Sequence, residues 1–193
     1  MKKIGLTGGI GAGKSMIAKI LATMGFPVFY SDQVGKELMS TDSNVQSKIK
    51  TIFGDEAYFG GQLNRRYIAE KIFSDEKLKE EINSIIHPAV RSAFNEWANN
   101  QNAPFVFNEA AILFETGAYK NFDFNVLVSA PLDLRLQRVL KRDKTSTKEV
   151  HGRMENQWSD EKKRVLADFE IVNDNNSLII PQIHKLLSEL KKQ

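Results

Sequence analysis

The chain has no cysteine. Disulfides, a thiolate nucleophile and a cysteine-ligated metal are therefore excluded, and a reducing compartment is compatible. It also lacks any apolar run near the roughly 20 residues that a membrane span needs. The apolar stretch at residues 4–7 is far too short for a secretory leader, and glycines interrupt it. Charge of one sign does not dominate, since 27 Lys and Arg stand against 24 Asp and Glu, a net +3. So small an excess is weak support for nucleic acid, but it suits a pocket for polyanionic small molecules. There is no internal repeat and no low-complexity segment. These absences lead to the expectation of a cytoplasmic protein with neither nucleic acid nor membrane as partner. They leave the oligomeric state open.

What is present is enough for a core. Of 193 residues, 41% are hydrophobic, which favours one compact domain with small excursions. Residues 4–7 read as a first strand ending in glycines. Ile17, Ile20 and Leu21 take helical spacing over residues 14–24, and Gly25 is a stop signal. Residues 27–30 form a second short strand. A strand, a glycine loop, a helix and a strand open an α/β fold with a parallel sheet.

From Asp32 to Asn102 only helical periods stand out, and no strand is expected. Val45, Ile49, Ile52 and Phe53 share a helical face. Leu78, Ile82, Ile85 and Ile86 repeat the spacing, as do Val90, Phe94, Trp97 and Ala98. Gly60-Gly61 breaks the run, and Pro88 is predicted to start a new helix after Ile86. Strand signals return at residues 105–107, 126–129 and 169–172. Helices are predicted over residues 132–141 and 177–191, and Ser146-Thr147-Lys148-Glu149 fits a capping box. Trp97 and Trp158 are assigned to helix faces as packing residues. The sum is about five parallel strands with helices on both faces.

Gly8-Gly9-Ile10-Gly11-Ala12-Gly13-Lys14-Ser15 matches G-x-x-x-x-G-K-[ST], a phosphate-binding P-loop, between a strand and a helix. Glycines let the backbone curl so that N–H groups face phosphate oxygens, and the helix start adds its positive dipole end. Lys14 can reach the β- and γ-phosphates, and Ser15 can ligate Mg2+. The predicted ligand is a nucleoside triphosphate, ATP with magnesium. Asp32 follows the second strand, where ligands sit in open α/β sheets. It could accept a proton from an attacking hydroxyl, or Ser31 or Asp32 could simply cap the next helix. Glu109 ends the third strand like a Walker B acid. Arg135, Arg138 and Arg142 are spaced i, i+3, i+7 on one helix, with Arg153 beyond. They form either a phosphoryl-stabilising face or a solvated basic one. His87 before Pro88 is structural or catalytic. His151 and His184 have no metal-ligand spacing.

Taken in order, these residues resemble the dephospho-coenzyme A kinase family over nearly the whole chain. The resemblance runs through residues 4–15, Ser31-Asp32, Leu63-Asn64-Arg65, His87-Pro88 and Ile112-Leu113-Phe114-Glu115. It continues with the R-x-x-x-R-D element from Arg138 to Arg142-Asp143, then Gln157, Ala167-Asp168 and Asn173. Glu109 stands where the family carries aspartate, Ala111 where it carries proline, and Asn64 where aspartate is common. The resemblance implies a three-layer P-loop NTPase fold with a five-stranded parallel sheet, a helical substrate-binding insertion and a small helical lid. A nucleotide-binding core would comprise residues 1–31, 104–140 and 165–193, a helical CoA-binding region 32–103 and a lid 141–164. The implied reaction moves the ATP γ-phosphoryl to the ribose 3′-hydroxyl of dephospho-CoA. The products are coenzyme A and ADP, in the last step of coenzyme A synthesis.

On this resemblance Gly8, Gly9, Gly11, Ala12, Gly13, Lys14, Ser15 and Met16 would hold the triphosphate, with Arg138 and Arg142 from the lid side. Ser15 would hold Mg2+. Lys14, Asp32 and Arg142 would be catalytic, with Asp32 the base and Arg142 countering transition-state charge. Thr7, Asp32, Arg65, His87 and Glu109 would shape the acceptor site. The nearest alternative is another small-acceptor P-loop kinase, such as one acting on nucleoside monophosphates. A nucleotide-switch binding module is the other, but the N-K-x-D base-reading motif of guanine-type switches is absent.

Overall fold

The computed structural model describes residues 1–192. They divide into two compact units, Met1–Phe29 with the chain from Gln101 onward, and Tyr30–Asn100 between them.

The first unit is built on a five-stranded sheet. Its strands are β1 (Lys2–Thr7), β2 (Val28–Tyr30), β5 (Phe105–Glu109), β6 (Phe124–Ser129) and β7 (Phe169–Val172), in the spatial order β2-β5-β1-β6-β7. The pairings of β1 with β5, β1 with β6 and β6 with β7 are all parallel, and Leu6 stands between Glu109 and Val126. Every residue of β5 and β6 is buried. That is how strands covered on both faces read, as continuous runs rather than alternation. The chain leaves β1 toward one edge of the sheet and β6 toward the other. The loop after β1 therefore sits at a topological switch point, where open α/β sheets bind ligands.

Helices α1 (Lys14–Thr23), α6 (Leu132–Asp143) and α9 (Ile179–Lys192) belong to this unit, with the shorter α7 (Thr147–Glu155) and α8 (Asp160–Arg164). In α9, Ile183, Leu186, Leu187 and Leu190 are buried at the i, i+3, i+4, i+7 spacing of an apolar stripe. The stop expected at Gly25 is present as a Schellman motif. Phe26 N–H donates to Leu21 O at 3.1 Å and Gly25 N–H to Ala22 O at 3.0 Å, with Gly25 at φ +88°. The capping box at Ser146 and Glu149 forms as expected.

The second unit contains α2 (Ser31–Thr41), α3 (Ser43–Phe53), α4 (Arg65–Ser74) and α5 (Glu76–Asn99). Its core is Val45, Ile49, Phe53, Ala57, Ile68 and Ile82. Asp42, Asn64 and Asp75 cap α3, α4 and α5 by accepting from first-turn amides. α2 differs. Its N-cap is Tyr30, which makes no side-chain cap, and Asp32 lies in the first turn, so neither Ser31 nor Asp32 is a cap.

Three expectations are corrected here. A two-stranded hairpin, β3 (Tyr58–Phe59) and β4 (Gln62–Leu63), exists where no strand was expected. Gly60 and Gly61 turn it with φ +57° and +78°, the left-handed pair of a type I′ turn. Two-residue strands are too short to display alternation. Pro88 does not start a helix, because α5 runs unbroken past it. Mid-helix proline costs about 3 kcal/mol. Burial of Ile82 before it and of Phe94 and Ala98 after it keeps both halves on one axis. Trp158 lies between α7 and α8, not on a helix, and Lys162 Nζ sits 3.5 Å over its ring centroid.

Candidate active site

The loop between β1 and α1 is shaped from within and held from without. Gly11 and Gly13 take φ +80° and +98°, conformations that strain a side-chain-bearing residue. A Cβ on Gly8 would meet Val128 O at 2.1 Å, so the loop presses directly against the β6 backbone. Ala12 N–H closes a turn onto Gly9 O at 3.0 Å. Helix α1 begins after Gly13 with no side-chain cap and no acid in its first turn. Its orphan amides and positive dipole end are left for an anion. Lys14 is buried, and its Nζ donates to Gly8 O at 2.9 Å, folded back over the loop. Ser15 and Met16 are exposed at the start of α1.

Four side chains grip this loop from distant parts of the chain. Arg135, 6% exposed, donates through Nε to Ile10 O at 3.0 Å. Its Nη1 lies 3.3 Å from Asp160 Oδ1 in a buried ion pair. Gln157 Oε1 accepts from Ile10 N–H at 2.8 Å. Asn173 Nδ2 donates to Ala12 O at 2.7 Å. Arg138 donates to Gly11 O at 3.4 Å, to Asn173 O at 3.0 Å and to Asn175 Oδ1 at 2.6 Å. The arginine stripe thus splits. Arg135 and Arg138 turn inward to loop carbonyls. Arg142 turns to solvent, with 63% of its side chain exposed, and pairs with Asp143 at 2.6 Å. Arg153 meets the same carboxylate at 2.8 Å. Hydrogen bonding from Arg142, then from Arg153, holds the Asp143 carboxyl below its ordinary pKa.

Thr7 is fully buried at the end of β1, and Glu109 is buried at the end of β5. Thr7, residues 8–16, Glu109 and Arg138 are therefore all gathered at the carboxyl ends of the strands. Asp32, Arg65 and His87 belong to the helical unit, on α2, α4 and α5. All three are exposed, and no side-chain hydrogen bond or ion pair joins them among the described residues. The crossing of α2 and α5 is close, since a Cβ on Gly35 would stand 3.4 Å from Val90 and 3.5 Å from Ile86. His87 is exposed as a residue, but the protein packed around its imidazole desolvates it and lowers its pKa.

Gln157 and Asn173 had no role in the sequence beyond the resemblance, and Arg135 stood only as part of an arginine face, either phosphoryl-stabilising or solvated, not as a brace of the loop. Their partners are backbone groups across the chain, and the only available signal was a polar residue in a turn or at a strand end. A cavity of about 680 Å³ is lined by Ser129, Arg135, His151, Trp158, Glu161 and Val172, among others. Gln157 lines it too, so the cavity adjoins the phosphate loop through Arg135 and Gln157, which both bond to Ile10.

A P-loop at the switch point of a parallel sheet, with a buried lysine and inward-turned arginines, defines a P-loop kinase. The shikimate kinase of Acinetobacter baumannii shares this fold, with a TM-score of 0.55 at 16% identity over 100% of this chain and 94% of that one. The particular family is set by closer matches, and the chain belongs to the dephospho-CoA kinase family, whose family model matches residues 2–178. The dephospho-CoA kinase of Bacteroides fragilis is 39% identical, covering 97% of this chain and 92% of that protein. That of Chlorobium chlorochromatii is 40% identical, covering 90% and 84%. A Thermus thermophilus crystal structure superposes with a TM-score of 0.88 at 35% identity, covering 98% of this chain and 97% of that one. The Campylobacter jejuni dephospho-CoA kinase gives 0.69 at 26% identity, covering 98% and 97%.

Proposed function

We propose that this chain transfers the γ-phosphoryl of ATP to the ribose 3′-hydroxyl of dephospho-CoA, releasing coenzyme A and ADP. The observation that carries the donor side is the braced loop of residues 8–15 with Lys14 buried inside it. Family membership carries the acceptor. Phosphoryl transfer has a loose transition state, so positioning and electrostatics outweigh base strength.

In this reading Lys14 exchanges Gly8 O for the β,γ-oxygens of ATP. Residues 8–16 cradle the triphosphate, and Arg138 supports the same loop. Arg142 leaves Asp143 to meet charge on the moving phosphoryl. Asp32 accepts the proton of the ribose hydroxyl. Thr7, Arg65, His87 and Glu109 shape the acceptor side. No group of three or more His, Cys, Asp or Glu is arranged for a metal among the described residues. That suits Mg2+, which keeps waters and substrate phosphates and takes only one or two protein ligands. Ser15 would hold it, with the Glu109 carboxylate as outer support, and the ion would neutralise phosphate charge. No helix among the described residues is long and apolar enough to cross a membrane. We assign the protein to the cytoplasm, with ATP and dephospho-CoA as partners and no nucleic acid.

An acceptor panel with ATP tests the reading. Dephospho-CoA should be phosphorylated at the 3′-position and nucleoside monophosphates should not. Phosphorylation of a monophosphate with none of dephospho-CoA would sink it. Slow hydrolysis with no acceptor modified would favour a nucleotide switch.

A further inference from the structure

One residue of the phosphate loop, Ile10, is held at both its backbone N–H and its backbone carbonyl by side chains far away in sequence. Ile10 N–H donates to Gln157 Oε1 at 2.8 Å, and Ile10 O accepts from Arg135 Nε at 3.0 Å. Neither holder is loose. Gln157 Nε2 donates to Ala111 O at 3.3 Å, so its carboxamide is fixed at both ends. The next residue, Trp158, donates its N–H to Glu115 Oε1 at 3.0 Å. Lys163, fully buried, places its Nζ 3.0 Å from the same oxygen. Arg135 is tied to Asp160, three residues beyond Gln157. The segment 157–163 is thus anchored to the chain after β5, and it reaches the loop through Gln157 and through Arg135.

A glycine-rich loop has no side-chain packing of its own to fix its amides. Preorganised donors are worth most when nothing must reorganise on binding. We propose that Gln157 is a positioning residue for ATP. It fixes the peptide entering Ile10, while Arg135 fixes the peptide leaving it, so that the amides of residues 11–15 are aimed before the triphosphate arrives. This inference rests on the ATP-binding reading of the loop and assigns Gln157 a role that the acceptor chemistry does not touch.

The test uses the full chain with Gln157→Met and Gln157→Ala. The methionine keeps length and volume but offers Ile10 only a weakly accepting thioether and gives Ala111 O no donor. ATP affinity is measured by calorimetry without acceptor, and KM is measured for both substrates. Leaving one loop donor without its partner should weaken ATP binding and raise the ATP KM about five- to twentyfold in both variants. The dephospho-CoA KM should stay within about twofold. Leu186→Ala, a core truncation in α9, should lower the thermal midpoint without moving the ATP constant. A Gln157→Met enzyme whose ATP constant stays within twofold of the parent overturns the proposal. So does a Leu186→Ala variant that weakens ATP as much as Gln157→Met does. If Gln157→Ala fails to fold, the shape-conserving methionine variant carries the test. Parent protein that binds ATP but leaves dephospho-CoA unmodified would count against the proposed acceptor, not against this inference.

Discussion

Gly13→Ala separates backbone strain from steric displacement in the phosphate loop. Gly13 has φ +98°. Alanine there costs about 1–2 kcal/mol from the left-handed backbone alone. A Cβ would also stand 2.2 Å from Asn173 Nδ2. The carboxamide must move, losing its 2.7 Å bond to Ala12 O. A buried carbonyl left without its donor adds about 1–3 kcal/mol. The expected total is about 2–5 kcal/mol, against about 1–2 for Gly25→Ala. Gly25 has φ +88°, but its Cβ would meet nothing within 4 Å. At roughly 2–4 °C per kcal/mol for a chain of this size, the two midpoints should differ by several degrees. Asn173→Ala removes the obstructing atom, so the double variant should be less destabilised than the sum by about 1–3 kcal/mol. Urea unfolding of the parent and the four variants measures this directly. Equal losses at Gly13 and Gly25, or strict additivity with Asn173→Ala, would refute the reasoning.

Other outcomes follow from the same geometry. Lys14→Ala should cost more turnover than Asp32→Asn, because charge placement outweighs the base in a loose transition state, and steady-state kinetics showing the reverse order removes that ranking. Ser15→Ala should raise the Mg2+ concentration needed for half-maximal activity, a shift that a magnesium titration reads and that would be missing if Ser15 does not meet the ion. The His87 pKa is lowered by desolvation, so the unfolded chain binds the extra proton more readily. Stability should therefore fall as pH drops from the ordinary histidine value near 6.5 toward the lower folded value, and His87→Gln should flatten that limb in pH-dependent melts. Glu115→Leu should be more destabilising than Lys163→Met. The first leaves a fully buried ammonium, and the second leaves a carboxylate that still accepts from Trp158 N–H. Removing one partner of such a pair costs about 3–5 kcal/mol, and equal thermal midpoints would contradict this account.

The strands were legible because a doubly covered parallel sheet writes itself as short apolar runs, as in Phe124–Ser129. The loop was legible because its glycines and Lys14 are adjacent in sequence. The hairpin at Gly60-Gly61 was missed because two residues cannot show a period. Pro88 misled because local propensity yields to burial on either side of it. The bracing of the loop was hidden for another reason. Gln157 meets Ile10 across 147 positions and Asn173 meets Ala12 across 161. Single polar side chains bonding to distant backbone leave no pattern in sequence. The same holds for the divided fates of Arg135, Arg138 and Arg142, whose even spacing suggested one shared face.

The order of pairing in the sheet also has a consequence for how the chain is made. Lys2 in β1 has Phe105 as its register partner in β5, and Ile4 has Phe124 in β6. At about 5–20 residues per second on the ribosome, β1 waits roughly 5–20 s for a neighbour. The Tyr30–Asn100 unit is one continuous stretch, so all of its own packing partners exist once Asn100 has been made. It can collapse during that wait, before β5 is complete. The glycine loop, made before that unit, would then be among the last segments to reach its final shape. It must await Arg135, Gln157 and Asn173, all made later still.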